Sequence, residues 1–192
     1  MNIYPKELAK ISMFSAASVV LSFLGFNLPF APFLKIDFSE TPALLAGFLT
    51  GPSGAILVLL IKNLILLPFT KTASVGEFSN FILGCAFVIP AALCFKKCKS
   101  ALFGSFMGIL CVSIVSVALN YFVLYPMYFT IVEKNSVLKL YGSLFPWIKN
   151  LLGAVLMVNL PLTVIKSAFS AISAILIMKQ LLKTKHFASA HL

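Results

Sequence analysis

Apolar stretches long enough to cross a bilayer recur along this chain, and no other feature restricts its folding so strongly. A spanning helix needs about 20 apolar residues, because it rises about 1.5 Å per residue through hydrocarbon about 30 Å thick. Runs approaching or exceeding that length cover about residues 11–28, 77–95, 101–129 and 161–182, with shorter ones over 40–49 and 55–67. Of the 192 residues, 60% are hydrophobic, against about 45–50% in a soluble globular domain. In hydrocarbon a segment must satisfy its own backbone polar groups, which favours helices. The pattern predicts one all-α membrane domain over residues 1–192, with six transmembrane helices and an outward-facing pocket closed by loops.

All 15 basic residues are lysine, set against 5 acids for a net charge of +10. The lysines lie mainly at the ends of apolar runs, not in a stripe. They therefore read as anchors in an anionic lipid bilayer, and no nucleic-acid partner is expected. Six crossings place both termini on one side. That side carries Lys6, Lys10, Lys96, Lys97, Lys99, Lys179, Lys183 and Lys185. Lys35, Lys71, Lys134, Lys139 and Lys149 fall in loops on the other. The denser side faces the cytoplasm by the positive-inside rule, so both termini are expected there, in a multi-pass protein of the cell membrane. Five crossings would invert one end.

The cysteines Cys85, Cys94, Cys98 and Cys111 lie in or beside apolar segments, and the histidines, His186 and His191, are in the tail. That spacing suits free thiols better than zinc, so no metal site is expected. No cleavable signal peptide is evident. There is no G-x-S-x-G, H-E-x-x-H or Walker motif. An enzyme is therefore not expected, and the chain cannot itself hydrolyse ATP through a Walker-type site.

The polar stretch Lys35-Ile36-Asp37-Phe38-Ser39-Glu40, between two apolar runs, reads as an outer loop dipping into a cavity. Asn27-Leu28-Pro29-Phe30-Ala31-Pro32 ends the first helix, because proline lacks a donor and disfavours a preceding helical residue. Gly51-Pro52-Ser53-Gly54 forms a tight turn. Residues 146–160 read as an interfacial or re-entrant helix, with Pro161 starting the sixth. Ser12 and Ala16, four apart, make a small-residue face on the first helix. That face serves either packing within this chain or docking of another membrane subunit.

With that topology, Asp37, Glu40, Lys62, Asn63, Glu77, Asn80, Asn120, Thr163 and Lys166 all come near the outer half of the membrane. Phe30, Phe33, Phe38, Phe78, Phe81, Tyr121, Tyr125 and Trp147 lie beside them. Polar groups inside a membrane mark functional cavities, and aromatic walls with a few polar fixers describe a small-molecule site. Blander readings stand next to these. Lys62 snorkels to the interface, Glu77 only caps its helix, and Asp37 and Glu40 sit in a solvated loop.

The string FLKIDFSETPALLAGFLTGPSGA resembles the first-loop signature of riboflavin-specific substrate-binding (S) components of energy-coupling factor (ECF) vitamin transporters. VGEFSNFILGCAFVIPAAL, NYFVLYPMY and PWIKNLLGAVLMVNLPLTVIKSAFSAI are similar to later parts of the same family, in order. The resemblance implies a membrane subunit that binds riboflavin in an outward pocket. It also implies association with a membrane coupling protein and two ATPase subunits whose hydrolysis topples the S component. Riboflavin is then the transported ligand, with no cofactor. Asn120 and Lys166 take the positions of the family's pocket amide and ammonium. Thr163 stands where the sixth-helix motif has asparagine, and Ser167 where it has glycine. The expected binding set is Asp37, Phe38, Glu40, Lys62, Glu77, Asn80, Asn120, Tyr121, Thr163 and Lys166. The helix-one face of Ser12 and Ala16 becomes the docking surface. An S component for another vitamin or for FMN, an integral membrane enzyme using Asp37 and Glu40, and a ligand-free assembly subunit are the alternatives.

Overall fold

The computed structural model describes residues 5–28, 31–70, 74–129 and 150–189. Among the described residues, six helices carry the fold. The first, α1 (Pro5–Phe23), leads into an antiparallel hairpin of β1 (Phe26–Leu28) and β2 (Ala31–Ile36). Phe26 pairs with Ile36 and Asn27 with Lys35, and the register shifts before Leu28 meets Ala31. The expected first helix, about residues 11–28, therefore ends earlier. Its last residues pair as a strand, and the expected loop is largely a hairpin.

α2 (Glu40–Thr50) and α3 (Pro52–Leu66) are joined through Gly51, whose φ of 85° is a conformation that side-chain-bearing residues rarely adopt. A 3-10 turn (Leu67–Phe69) extends α3. α4 (Val75–Cys98) and α5 (Ala101–Leu119) follow. The last helix, α6 (Leu160–Ser189), is preceded without a break by Leu151–Ala154 and Val155–Asn159. The expected boundary at Pro161 is thus absent. Residues 151–189 form one helical run, not an interfacial helix followed by a crossing. Residues 146–149, and with them Trp147, lie outside the described residues.

A π-helical turn immediately precedes Pro161. Proline would leave the carbonyl four residues back without its donor. Val155–Asn159 forms a π turn in which the Leu160 N–H bonds Val155 O, five residues back. The same device recurs beyond α5. Asn120–Leu124 is a π turn with the Tyr125 N–H on Asn120 O, and helix continues over Tyr125–Tyr128. Pro126 therefore does not end the helix there.

Four segments among the described residues are long and apolar enough to cross a membrane: Pro52–Phe69, Val75–Cys98, Ala101–Met127 and Leu151–Leu181. α2 is 11 residues long, and every residue from Glu40 to Phe48 is buried. It is the central post of the bundle. Around it pack Ile11 and Phe14 of α1, Val58 and Leu59 of α3, Phe87 and Val88 of α4, and Ala171 and Ala174 of α6. α4 and α5 approach closely through Gly104 and Gly108. A methyl on Gly108 would lie 2.5 Å from Phe87 O, and one on Gly104 2.6 Å from Ala91 O. Glycines four apart allow such backbone contact between membrane helices.

Candidate ligand-binding site

The hairpin delivers the chain to Asp37, and α2 begins three residues later at Glu40. Both carboxylates are buried, with Asp37 4% and Glu40 4% exposed. Lys166 reaches them from α6, its Nζ 3.3 Å from Asp37 Oδ1 and 3.0 Å from Glu40 Oε1. It also donates to Asn80 Oδ1 of α4 at 3.2 Å. An ammonium has three hydrogens, and here each has an acceptor. A buried charge is tolerable only when paired and hydrogen-bonded, and Lys166 meets both conditions.

The Asp37–Ser39 turn is held from three sides. Ser39 donates to Asp37 Oδ1 through its hydroxyl at 2.8 Å and its backbone N–H at 3.3 Å. Ser22 of α1 donates to Asp37 Oδ2 at 3.2 Å, and the Ser18 hydroxyl donates to Ser39 O. Lys62 of α3 is fully buried and donates to Ser39 Oγ at 3.1 Å. Lys62 therefore does not snorkel to the interface, and Asp37 and Glu40 are not a solvated loop. The cluster contains two ammonium and two carboxylate groups.

Beside it lies a cavity of about 50 Å³, lined by Ile36, Glu40, Ser79, Asn80, Leu83, Val112, Leu162, Thr163, Lys166 and Ser167. α4, α5 and α6 form its walls, and the end of the hairpin with the start of α2 forms its roof. Of the expected binding residues, Glu40, Asn80, Thr163 and Lys166 line it, and Asp37 joins through Lys166. Asn120 is wholly buried but sits one link away. Its Nδ2 bonds Ser116 O at 2.7 Å and Ser116 Oγ at 3.1 Å, and Ser116 Oγ lies 3.1 Å from Thr163 Oγ1.

Three expected residues fall elsewhere. Glu77 accepts from Thr70 Oγ1 at 2.6 Å and lines a separate apolar cleft with Asn63, Phe78 and Phe81. The α3–α4 connection holds it there, one turn of α4 before Asn80. Tyr121 is 37% exposed and packs edge-on to Phe122. Phe38 is 47% exposed and meets Phe169 edge-to-face outside the cavity. The described cavity wall is thus aliphatic, through Ile36, Leu83, Val112 and Leu162, where aromatic rings were expected. Phe30, like Trp147, lies outside the described residues.

Ser39, Ser79, Ser116 and Asn159 were missed in the sequence. The signal for Asn159 was its place four residues before Thr163, on the same helical face. Serines carry none, because one hydroxyl in an apolar helix usually bonds its own backbone. On α1, Ile11, Phe14, Ser15, Ser18 and Ser22 face inward, whereas Ser12 and Ala16 are exposed.

Residues 6–178 match the family described as "ECF transporter, substrate-specific component". The chain is similar to riboflavin transporter RibU of Staphylococcus aureus (strain TCH60), 42% identical over 127 residues, 64% of this chain and 67% of that protein. It is also similar to riboflavin transporter FmnP of Bacillus subtilis (strain 168), 38% identical over 130 residues, 64% of this chain and 68% of that one. A solved structure described as the S component of a bacterial ECF transporter superposes with a TM-score of 0.73 at 34% identity, covering 93% of this chain and 96% of the other.

Proposed function

The chain belongs to the substrate-specific components of ECF transporters, and from that membership we propose that it binds riboflavin for ATP-driven uptake, in the cavity walled by Lys166, Thr163 and Asn80. The observation that carries the reading is the Lys166 ammonium, fixed between Asp37, Glu40 and Asn80 at the wall of that cavity. An ammonium so placed suits a ring carbonyl, and hydroxyl and carboxylate oxygens around it suit ribityl hydroxyls and the ring N–H.

Drug-sized ligands occupy sites of about 300–1,000 Å³, so a cavity of about 50 Å³ must widen to take a flavin. Residues 40–48 of α2 are sealed in the core. The part that must move is therefore the hairpin ahead of Asp37, whose Ile36 lines the cavity. Riboflavin would then exchange a carbonyl for one carboxylate partner of Lys166. A neutral vitamin fits the charge balance. Among the described residues, the two ammoniums and two carboxylates of the cluster balance, which favours riboflavin over FMN. Asp37 and Glu40 act as partners of Lys166, not as an acid–base pair, and the chain is a binding subunit rather than an enzyme.

Uptake requires partners. A membrane coupling protein and two ATPase subunits supply the ATP-driven step, with the exposed face at Ser12 and Ala16 as the docking surface. Both termini lie in the cytoplasm and the cavity opens outward.

Titration of the purified protein with riboflavin, followed by quenching of flavin fluorescence, tests the reading. Quenching that saturates at or below micromolar riboflavin is expected, with FMN bound at least about ten-fold more weakly through unpaired buried charge. An absence of quenching by micromolar riboflavin would sink it.

A further inference from the structure

The two carboxylates that share Lys166 are held in unlike ways. Asp37 is committed to the fold. Its Oδ1 accepts from the Ser39 hydroxyl at 2.8 Å, the Ser39 backbone N–H at 3.3 Å and Lys166 Nζ at 3.3 Å, and its Oδ2 accepts from the Ser22 hydroxyl at 3.2 Å. An ionised carboxylate has about four acceptor positions, so these donors fill it. Lys62 supports the arrangement from α3. An ammonium cannot accept, so its bond to Ser39 Oγ leaves the serine's hydrogen for Asp37. The Asp37 side chain is 0% exposed and does not line the cavity.

Glu40, three residues on, differs at each point. Among the described residues, Lys166 is the one donor to its carboxylate, at Oε1. Its side chain keeps 5% exposure, and Glu40 lines the cavity together with Lys166. The first turn of α2 favours an acid through the helix dipole. That accounts for a carboxylate at this position, but not for acceptor positions left over beside a cavity. Lys166, by contrast, has its three hydrogens on Asp37, Glu40 and Asn80. What this corner has to spare for a ligand is therefore an acceptor.

We propose that Glu40 is the specificity-determining carboxylate of the site: it accepts a ligand N–H, while Asp37 only holds Lys166 in place. The inference rests on the riboflavin reading above, and the group selected is the imide N–H of the flavin ring. An imide edge presents an N–H beside a carbonyl, the complement of a carboxylate and an ammonium 3.0 Å apart. When the carbonyl takes a hydrogen from Lys166, Glu40 is the carboxylate that gives way. Asp37 has three further donors, and among the described residues Glu40 has none. The freed carboxylate oxygen then meets the N–H. No proton is transferred, so the charge of the cluster does not change.

Fluorescence titration of the purified protein with riboflavin and with 3-methylriboflavin, which lacks that N–H, is the test. The parent should bind riboflavin at least about ten-fold more tightly than the methylated ligand, the usual worth of a hydrogen bond to a charged group. Glu40→Gln keeps the shape and one oxygen but not the charge, so the preference should fall to about three-fold or less. Glu40→Asp keeps the charge and withdraws it by one carbon. The same fall is expected, so it carries the test where Glu40→Gln does not fold. Asp37→Asn should weaken both ligands and leave the preference intact. Ser22→Ala, which removes one donor to Asp37, takes its place where Asp37→Asn does not fold. The contrast separates ligand contact from support, because a loosened fold weakens the two ligands alike. An undiminished preference in the Glu40 variants would overturn the inference. So would a preference lost in Asp37→Asn, or lost in Asn80→Ala while Glu40→Gln keeps it. A parent that binds both ligands equally overturns this inference alone, whereas a parent that binds no riboflavin overturns the function reading with it.

Discussion

Lys166 is the residue on which the site turns, because two buried carboxylates depend on it. Replacing it by methionine keeps the length of the stem and removes the ammonium that Asp37 and Glu40 share. Breaking a buried pair costs about 3–5 kcal/mol, so Lys166→Met should lower the unfolding temperature and weaken riboflavin binding by more than ten-fold. Adding Glu40→Gln removes one of the two carboxylates that lost this ammonium. It should return part of the stability and none of the affinity, which separates the two roles in one pair of melting curves and titrations. Glu77 gives the contrasting case. It bonds Thr70 in a different cleft, so Glu77→Gln should leave riboflavin affinity within about two-fold of the parent, because one surface-proximal hydrogen bond is worth only about 1 kcal/mol.

At the scale of elements, α4 and α5 meet through Gly104 and Gly108, where no side chain fits without displacing a backbone carbonyl. Overpacking of this kind costs about 1–3 kcal/mol. Gly108→Val should therefore destabilise the protein by about that amount in thermal unfolding. It should also disturb the cavity, since Val112, one turn further along α5, is part of its wall. The two π turns belong to this scale as well. Pro161 was expected to start a new helix. Helix instead continues through Pro126 and Pro161, each preceded by a π turn.

The whole molecule is arranged around a buried post, α2, with the remaining helices set about it. α1 turns Ser15, Ser18 and Ser22 inward, the last two onto the Asp37–Ser39 turn, and leaves Ser12 and Ala16 uncovered. Ala16→Leu should then spare riboflavin binding by the isolated subunit and reduce uptake by the assembled transporter. Loss of binding in the isolated subunit would remove the docking assignment. The topology has its own check in Cys98, exposed at the end of α4. With both termini in the cytoplasm, a membrane-impermeant maleimide should leave Cys98 unlabelled in intact cells and label it once the membrane is opened.

Much of this was legible in the sequence, for a physical reason. Apolar length and the cost of charge in hydrocarbon were enough for a membrane bundle of six helices, and for Asp37, Glu40, Asn80, Thr163 and Lys166 to stand out as polar residues that a lipid-facing helix would not carry. Those features depend on the residue and its immediate neighbours. What only the tertiary structure decided depends on direction and on partners far along the chain. Asn120 and Asn159, 39 residues apart, find each other only through the packing of their two helices. Glu77 and Asn80, three apart on one helix, go to different cavities because α3 and α6 stand on different sides of α4. Hydrophobicity sorts residues between lipid and interior locally, but which interior groups meet is set by helix phase and packing, which no single segment specifies.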